Sequence, residues 1–162
     1  MVPILIFAGV AVLLFTGAFI SKRKFGLLGL ALTAGATISA IWSYDAGLVV
    51  SGLGILPKGE VTQAVTQSLV VLLPAIILLF HGYSYKNIIA RITGSLMFTI
   101  LALAFLVEPI GFALPLAGAG AAVYETIKEY KDTIISIGVV MAVVDLFFTT
   151  PAHLAGKSRK KH

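Results

Sequence analysis

The chain has 162 residues, 59% hydrophobic and only 12% charged, with a formal charge of +5 and no cysteine. Soluble domains carry about 25% charged residues, so this composition excludes an ordinary water-soluble domain and points to a single membrane domain over residues 1–162. Disulfides, thiolate metal sites and thiol catalysis are excluded, and the bases flank apolar runs without interleaved aromatics, which argues against a nucleic-acid partner.

Residues 3–20 form the first predicted span. Pro3 lies in the opening turn, where a missing N–H is tolerated. No Lys or Arg precedes this run, and Lys22, Arg23 and Lys24 follow it. That order predicts an uncleaved helix entering with its N-terminus outside, and not a cleaved leader. The second span, 25–43, ends at Trp42 and Tyr44, aromatics suited to a membrane interface. Along it Gly26, Gly29 and Thr33 recur at three- and four-residue steps, continued by Ala36, Thr37 and Ala40. Such small-residue faces let helices approach closely, so packing is the expected role and a ligand path the alternative.

Residues 46–57 (AGLVVSGLGILP) are apolar, glycine-rich and too short to cross. They predict a superficial loop or a re-entrant segment. The third span, 63–81, places Gln63, Gln67, Pro74 and His81 near one helical stripe. Pro74 leaves the Val70 carbonyl without its usual donor. A packing kink is the plain reading, and a polar path beside Gln67 is the sharper one. The fourth span is 92–110. Residues 109–122 (PIGFALPLAGAGAA) predict a second loop or re-entrant segment, which with the first would form an outward vestibule. Residues 124–132 predict a short polar connecting helix, in which Lys128 and Lys131 offset the repulsion between Glu125 and Glu129.

The last apolar run, 133–150, is 18 residues, about 27 Å as a helix and barely enough to cross. A fifth crossing puts nine of the twelve bases inside, namely Lys22, Arg23, Lys24, Lys86, Arg91, Lys157, Arg159, Lys160 and Lys161. Outside remain Lys58, Lys128 and Lys131 with six acids. Four crossings would move the four tail bases outside, against the positive-inside rule. The expected fold is therefore an all-α polytopic membrane helix bundle of four to five spans, with five favoured. The alternative for 133–150 is an interfacial helix.

Within that last run Gly138, Ala142, Asp145 and Thr149 share a stripe, so Asp145 is expected to face other helices. A carboxyl in a membrane span is a candidate proton or cation site. Asp145 lies near the inner boundary, however, and pairing with Arg91 or with Arg23 in the Lys22–Lys24 turn is the favoured, structural role. Asp145, Gln67, Pro74 and His81 are the residues of a polar path in the transport alternative. No nucleophile elbow, Walker loop, zincin motif or dinucleotide fingerprint occurs, so no catalytic residue, metal or cofactor is expected.

The first two spans and their basic turn, Gly17-Ala18-Phe19-Ile20-Ser21-Lys22-Arg23-Lys24-Phe25-Gly26, resemble the colicin V production protein family, which has a similar glycine-flanked basic turn. Arg91 and Gly94 also match part of that family's Asp-Arg-x-x-Gly motif, with Ala90 at the acid and Phe98 at a second glycine. The resemblance covers residues 3–110. It implies four spans plus a C-terminal amphipathic stretch, and a small inner-membrane protein linked to export and envelope homeostasis. It carries over no site residue.

The functional expectation is a non-enzymatic protein of the plasma or inner membrane that supports export or envelope maintenance as a partner-binding scaffold. Its expected partners are the lipid bilayer and other membrane proteins or further copies of itself. The basic loops and C-terminal tail are expected in the cytoplasm. The alternative is a small channel or ion-coupled transporter.

Overall fold

In a computed structural model of the chain, the described residues are 2–52, 54, 59–82, 84–113 and 119–147. They form five helices: α1 (Val2–Ser21), α2 (Phe25–Gly52), α3 (Glu60–Phe80), α4 (Ile88–Ala113) and α5 (Ala119–Phe147). The sole extended pairing among them is an isolated antiparallel bridge between Arg23 and Ser84. The fold is all-helical. Four helices are long and apolar enough to cross a membrane, over Ile4–Ser21, Phe25–Trp42, Glu60–Phe80 and Ile88–Gly111.

The helix bounds differ from those expected in three places. α2 continues past residue 43 to Gly52, so much of the expected loop 46–57 is helix. Tyr44, Gly47, Leu48 and Ser51 there face Gly59, Thr62 and Gln63 across a cavity of about 240 Å³, so the extension packs beside the start of α3. α4 likewise runs through Pro109, which is fully buried, to Ala113. The polar connector 124–132 and the apolar run after it are one 29-residue helix. At 1.5 Å per residue it is about 43 Å long, and its charged residues other than Asp145 are confined to the first half. Residues 114–118, 148–150 and the basic tail lie outside the described residues.

Local chemistry accounts for the helix ends. α1 stops at Lys22, which takes a left-handed conformation with φ 59°. That conformation commonly ends helices, more often with glycine. Asn87 caps α4, its Oδ1 accepting the Ile89 N–H at 3.1 Å. Two buried hydroxyls bond back along their own helix, Ser95 to the Arg91 carbonyl and Thr99 to the Ser95 carbonyl, each at 2.8 Å, whereas those of buried Ser39 and Thr66 have no hydrogen-bond partner.

α2 occupies the centre, touching α3, α4 and α5, whereas α3 and α5 do not touch each other among the described residues. Glycine sets these approaches. A Cβ on Gly35 would fall on the Val71 carbonyl oxygen of α3, and one on Gly26 on the Ala142 carbonyl oxygen of α5. A Cβ on Gly29 would lie 2.8 Å from the Ala142 Cβ, and one on Gly138 2.8 Å from Leu101 Cδ1. The expected small-residue faces of α2 and α5 thus meet each other. Thr33 sits on the same helix and bonds the Gly29 carbonyl at 3.0 Å.

α5 lies antiparallel along most of α4. Tyr124 packs with Val107 and against Gly111, Lys131 pairs with Glu108 at 2.6 Å, Gly138 meets Leu101, and Met141 shares a cavity with Met97. The interior holds Leu28, Leu32, Phe98 and Leu101 together with buried Ser39, Thr62, Thr66, Ser95 and Thr99. Large apolar side chains point outward instead, including Leu13, Leu73, Phe80, Val140 and Phe147. Water would oppose so large an exposed apolar surface.

Because Gly35 meets backbone, Gly35→Ala must push α2 from α3 and should cost about 1–3 kcal/mol, as overpacked cores do. Gly47 has nothing within 4 Å of an added Cβ. There, Gly47→Ala should stabilise α2 by up to about 1 kcal/mol through helix propensity. Thermal unfolding of the detergent-solubilised protein, followed by circular dichroism, checks the opposite signs.

Candidate functional site at the basic end of the bundle

The turn between α1 and α2 and the loop between α3 and α4 meet at one end of the bundle, beside the last turns of α5. The Tyr85 N–H donates to the Lys22 carbonyl at 2.8 Å, next to the Arg23–Ser84 bridge. Lys22, Arg23, Lys24, Lys86 and Arg91 therefore gather at this end, and Asp145 comes with them from α5.

Arg23 holds the end of α3. Its Nε donates to the Leu79 carbonyl at 3.0 Å, Nη2 to the Phe80 carbonyl at 2.7 Å, and Nη1 to the Gly82 carbonyl. The last carbonyls of a helix lack intrahelical partners and carry partial negative charge. A planar guanidinium with several donors suits them better than an ammonium would.

Asp145 serves the opposite pole of α2. One of its oxygens, Oδ2, accepts the Gly26 N–H at 2.8 Å and the Tyr85 hydroxyl at 3.2 Å. The Tyr85 oxygen in turn accepts the Phe25 N–H at 3.0 Å. Two of the first N–H groups of α2 are thus satisfied from α5 and from the α3–α4 loop. The carboxylate faces the positive end of the helix dipole. Lys24 Nζ lies 6.0 Å from the centre of the Tyr85 ring. A Cβ on Gly94 would clash with that ring at 2.6 Å, so the glycine makes room for Tyr85. Burial drives the Tyr85 phenol up to about 12; the Phe25 N–H opposes this, and the Asp145 carboxylate adds to the rise.

The expected structural pair of Asp145 with Arg91 or Arg23 takes another form. All three lie at this end, but Arg23 is turned to α3. Arg91 stacks on the Phe19 ring, with Cζ 3.7 Å from its centre, and its buried Nε has no hydrogen-bond partner. The residues of the expected polar path are dispersed. Gln67 borders a cavity of about 100 Å³ with Glu60, Gln63 and Ala64, at the far end of α3. Pro74 lies beside Gly35 of α2, and His81 is exposed where α3 ends. Since α3 and α5 do not touch among the described residues, Gln67 and Pro74 do not share a seam with Asp145. Among the described residues, no three His, Asp or Glu side chains are grouped to hold a metal.

At the other end, the Glu108 hydrogen bond raises the affinity of Lys131 for its proton, against a smaller opposing effect of burial. Sequence reasoning missed Tyr85 and Gly35. Tyr85 lies 60 residues from both bonding partners, Phe25 and Asp145. No local pattern signals that meeting.

No known protein family, curated protein or solved structure matches the chain.

The raised pKa gives a pH dependence. Folding favours the neutral phenol, so its contribution is complete below the ordinary value of about 10 and is lost as pH climbs through 12. In an ultraviolet titration, one of the five tyrosines should ionise last, near pH 12, and Tyr85→Phe should remove that phase and blunt the alkaline loss of stability. Uniform ionisation near pH 10 would contradict the buried arrangement.

Proposed function

We propose that the chain is an integral membrane protein crossing the bilayer five times, N-terminus outside and basic end in the cytoplasm, and that it acts as a non-enzymatic, partner-binding scaffold. The observation that carries the five crossings is the antiparallel run of α5 along α4. If α4 crosses, the pairs Glu108–Lys131 and Leu101–Gly138 take α5 across with it. The inside-out distribution of side chains supports a lipid surrounding, since helices in lipid associate through small residues and close packing while large apolar groups face the chains. The convergence of Lys22, Arg23, Lys24, Lys86 and Arg91 on one end supports its cytoplasmic side.

The scaffold reading rests on how the polar groups are used. Arg23, Tyr85 and Asp145 hold helix ends, and the polar residues of α3 are separated from those of α5. A conducting path along these two helices is therefore the weaker reading. The broad outward apolar faces of α1, α3 and α5 are surfaces on which other membrane proteins or further copies of the chain can pack. A role in export or envelope maintenance in the inner membrane follows from the resemblance of the basic turn and is part of the same proposal.

Two measurements test it. A reporter fused after His162 should lie in the cytoplasm. Proteoliposomes holding the chain should leak protons and cations no faster than empty ones, with Asp145→Asn unchanged. A tail outside would remove the fifth crossing, and a flux abolished by Asp145→Asn in a folded protein would establish the transporter instead.

A further inference from the structure

Between α4 and α5 lie two cavities of about 290 and 200 Å³ that share Phe25 and Met97 in their linings. The larger one sits at the basic end of the bundle. Among the described residues its lining nevertheless holds one charged side chain, the acid Asp145. The bases of this end are placed elsewhere. Arg23 is turned to the end of α3, Arg91 stacks on the Phe19 ring, and Lys24 lies over the Tyr85 ring. None of them lines the cavity, and neither does the exposed Lys86. The rest of the wall is aromatic or apolar, formed by Phe25, Tyr85, Met97 and Met141 with the hydroxyl of Thr93.

The sign of the charge and the nature of the wall define what fits. The Gly26 N–H and the Tyr85 hydroxyl that Asp145 accepts are neutral donors. They fix the direction of the carboxylate and add no full opposing charge. The start of α2 offsets about half an elementary charge at most. An inorganic cation needs several oxygen ligands, and among the described residues no three His, Asp or Glu side chains are grouped. An apolar cavity of this volume with few polar groups suits a small organic molecule instead. Aromatic faces attract organic cations, and methionine adapts to irregular apolar shapes.

We infer that the groove between α4 and α5 binds a lipophilic organic cation, a quaternary ammonium or phosphonium carrying aromatic or alkyl groups. Its charge lies at Asp145 and its apolar groups lie against Phe25, Met97 and Met141. The site uses only the packing of α4, α5 and the start of α2. It therefore stands apart from the number of crossings and from the proposed role in export.

Tetraphenylphosphonium and tetraphenylborate share a shape and carry opposite charges, so together they test the site. Equilibrium dialysis of the full chain in neutral detergent, against protein-free micelles, should show saturable binding of the phosphonium and none of the borate. The amide oxygen of Asp145→Asn can still accept the Gly26 N–H. That variant should bind the phosphonium about tenfold less, the scale of one partly screened charge pair. Met141→Trp, which fills the groove from α5, should abolish binding. If either variant loses helicity by circular dichroism, Thr93→Lys brings a base to the lining without touching Asp145. It should suppress the phosphonium and admit the borate. Equal binding of the two ions overturns the proposal, since the groove would then read shape without charge. Phosphonium binding that survives these substitutions in folded protein also overturns it, by placing the ion elsewhere.

Discussion

The bundle depends on one contact, the carboxylate of Asp145 against the opening N–H groups of α2, made across 119 residues of sequence. The first N–H groups and last carbonyls of any helix lack partners within it, and an apolar surrounding offers none. Here the partners come from neighbouring elements. Asp145 and Tyr85 serve the start of α2, and Arg23 serves the end of α3. Each assignment matches the sign of the helix dipole. Two charges that would be costly in isolation are thus held where charge is useful. Four segments are tied at one point, the α1–α2 turn, the end of α3, the α3–α4 loop and the end of α5.

That node also explains α5. Its first half is charged and its second half is short for a span, so neither half by itself indicates a crossing helix. It is fastened at two levels, at Asp145 and at the Lys131–Glu108 pair. These are 14 residues apart on α5, about 21 Å, while Glu108 and Arg91 are 17 residues apart on α4, about 26 Å. For the proposed fifth crossing, the first distance falls well below and the second a little below the usual hydrocarbon thickness of roughly 30 Å. Local thinning and snorkelling of long basic side chains accommodate mismatches of this size. Between the two levels, Gly138 and Ala142 let α5 sit against Leu101 of α4 and the glycine face of α2.

The hydropathy of the chain makes the first four helices legible, because 18 or more apolar residues have few other fates. The stripe of Gly26, Gly29, Gly138 and Ala142 was legible as a packing face for the same reason that it packs, its small residues recurring at helical steps. Helix ends were less legible. Glycine and proline at 47, 52 and 109 look like breakers, yet packing against α3 and burial of Pro109 keep α2 and α4 continuous. The partner of Asp145 was the hardest to read. Sequence suggests a cation for a carboxylate, whereas the structure offers backbone N–H groups and a phenol, which no spacing rule marks. Gly94 was noticed as part of a motif, but its use, making room for the Tyr85 ring, depends on the loop folding back.

The absence of cysteine allows a direct test of where α5 lies. Gly29→Cys and Ala142→Cys place their Cβ atoms close together, the positions on the present backbone being 2.8 Å apart. A disulfide prefers about 3.8 Å, a separation reached by a small outward shift of α5. Oxidation in intact membranes, followed by cleavage in the α3–α4 loop, should leave the two fragments joined until a reductant is added. Fragments that separate without reductant would show that α5 is not packed on α2 and that Asp145 does not hold the bundle together.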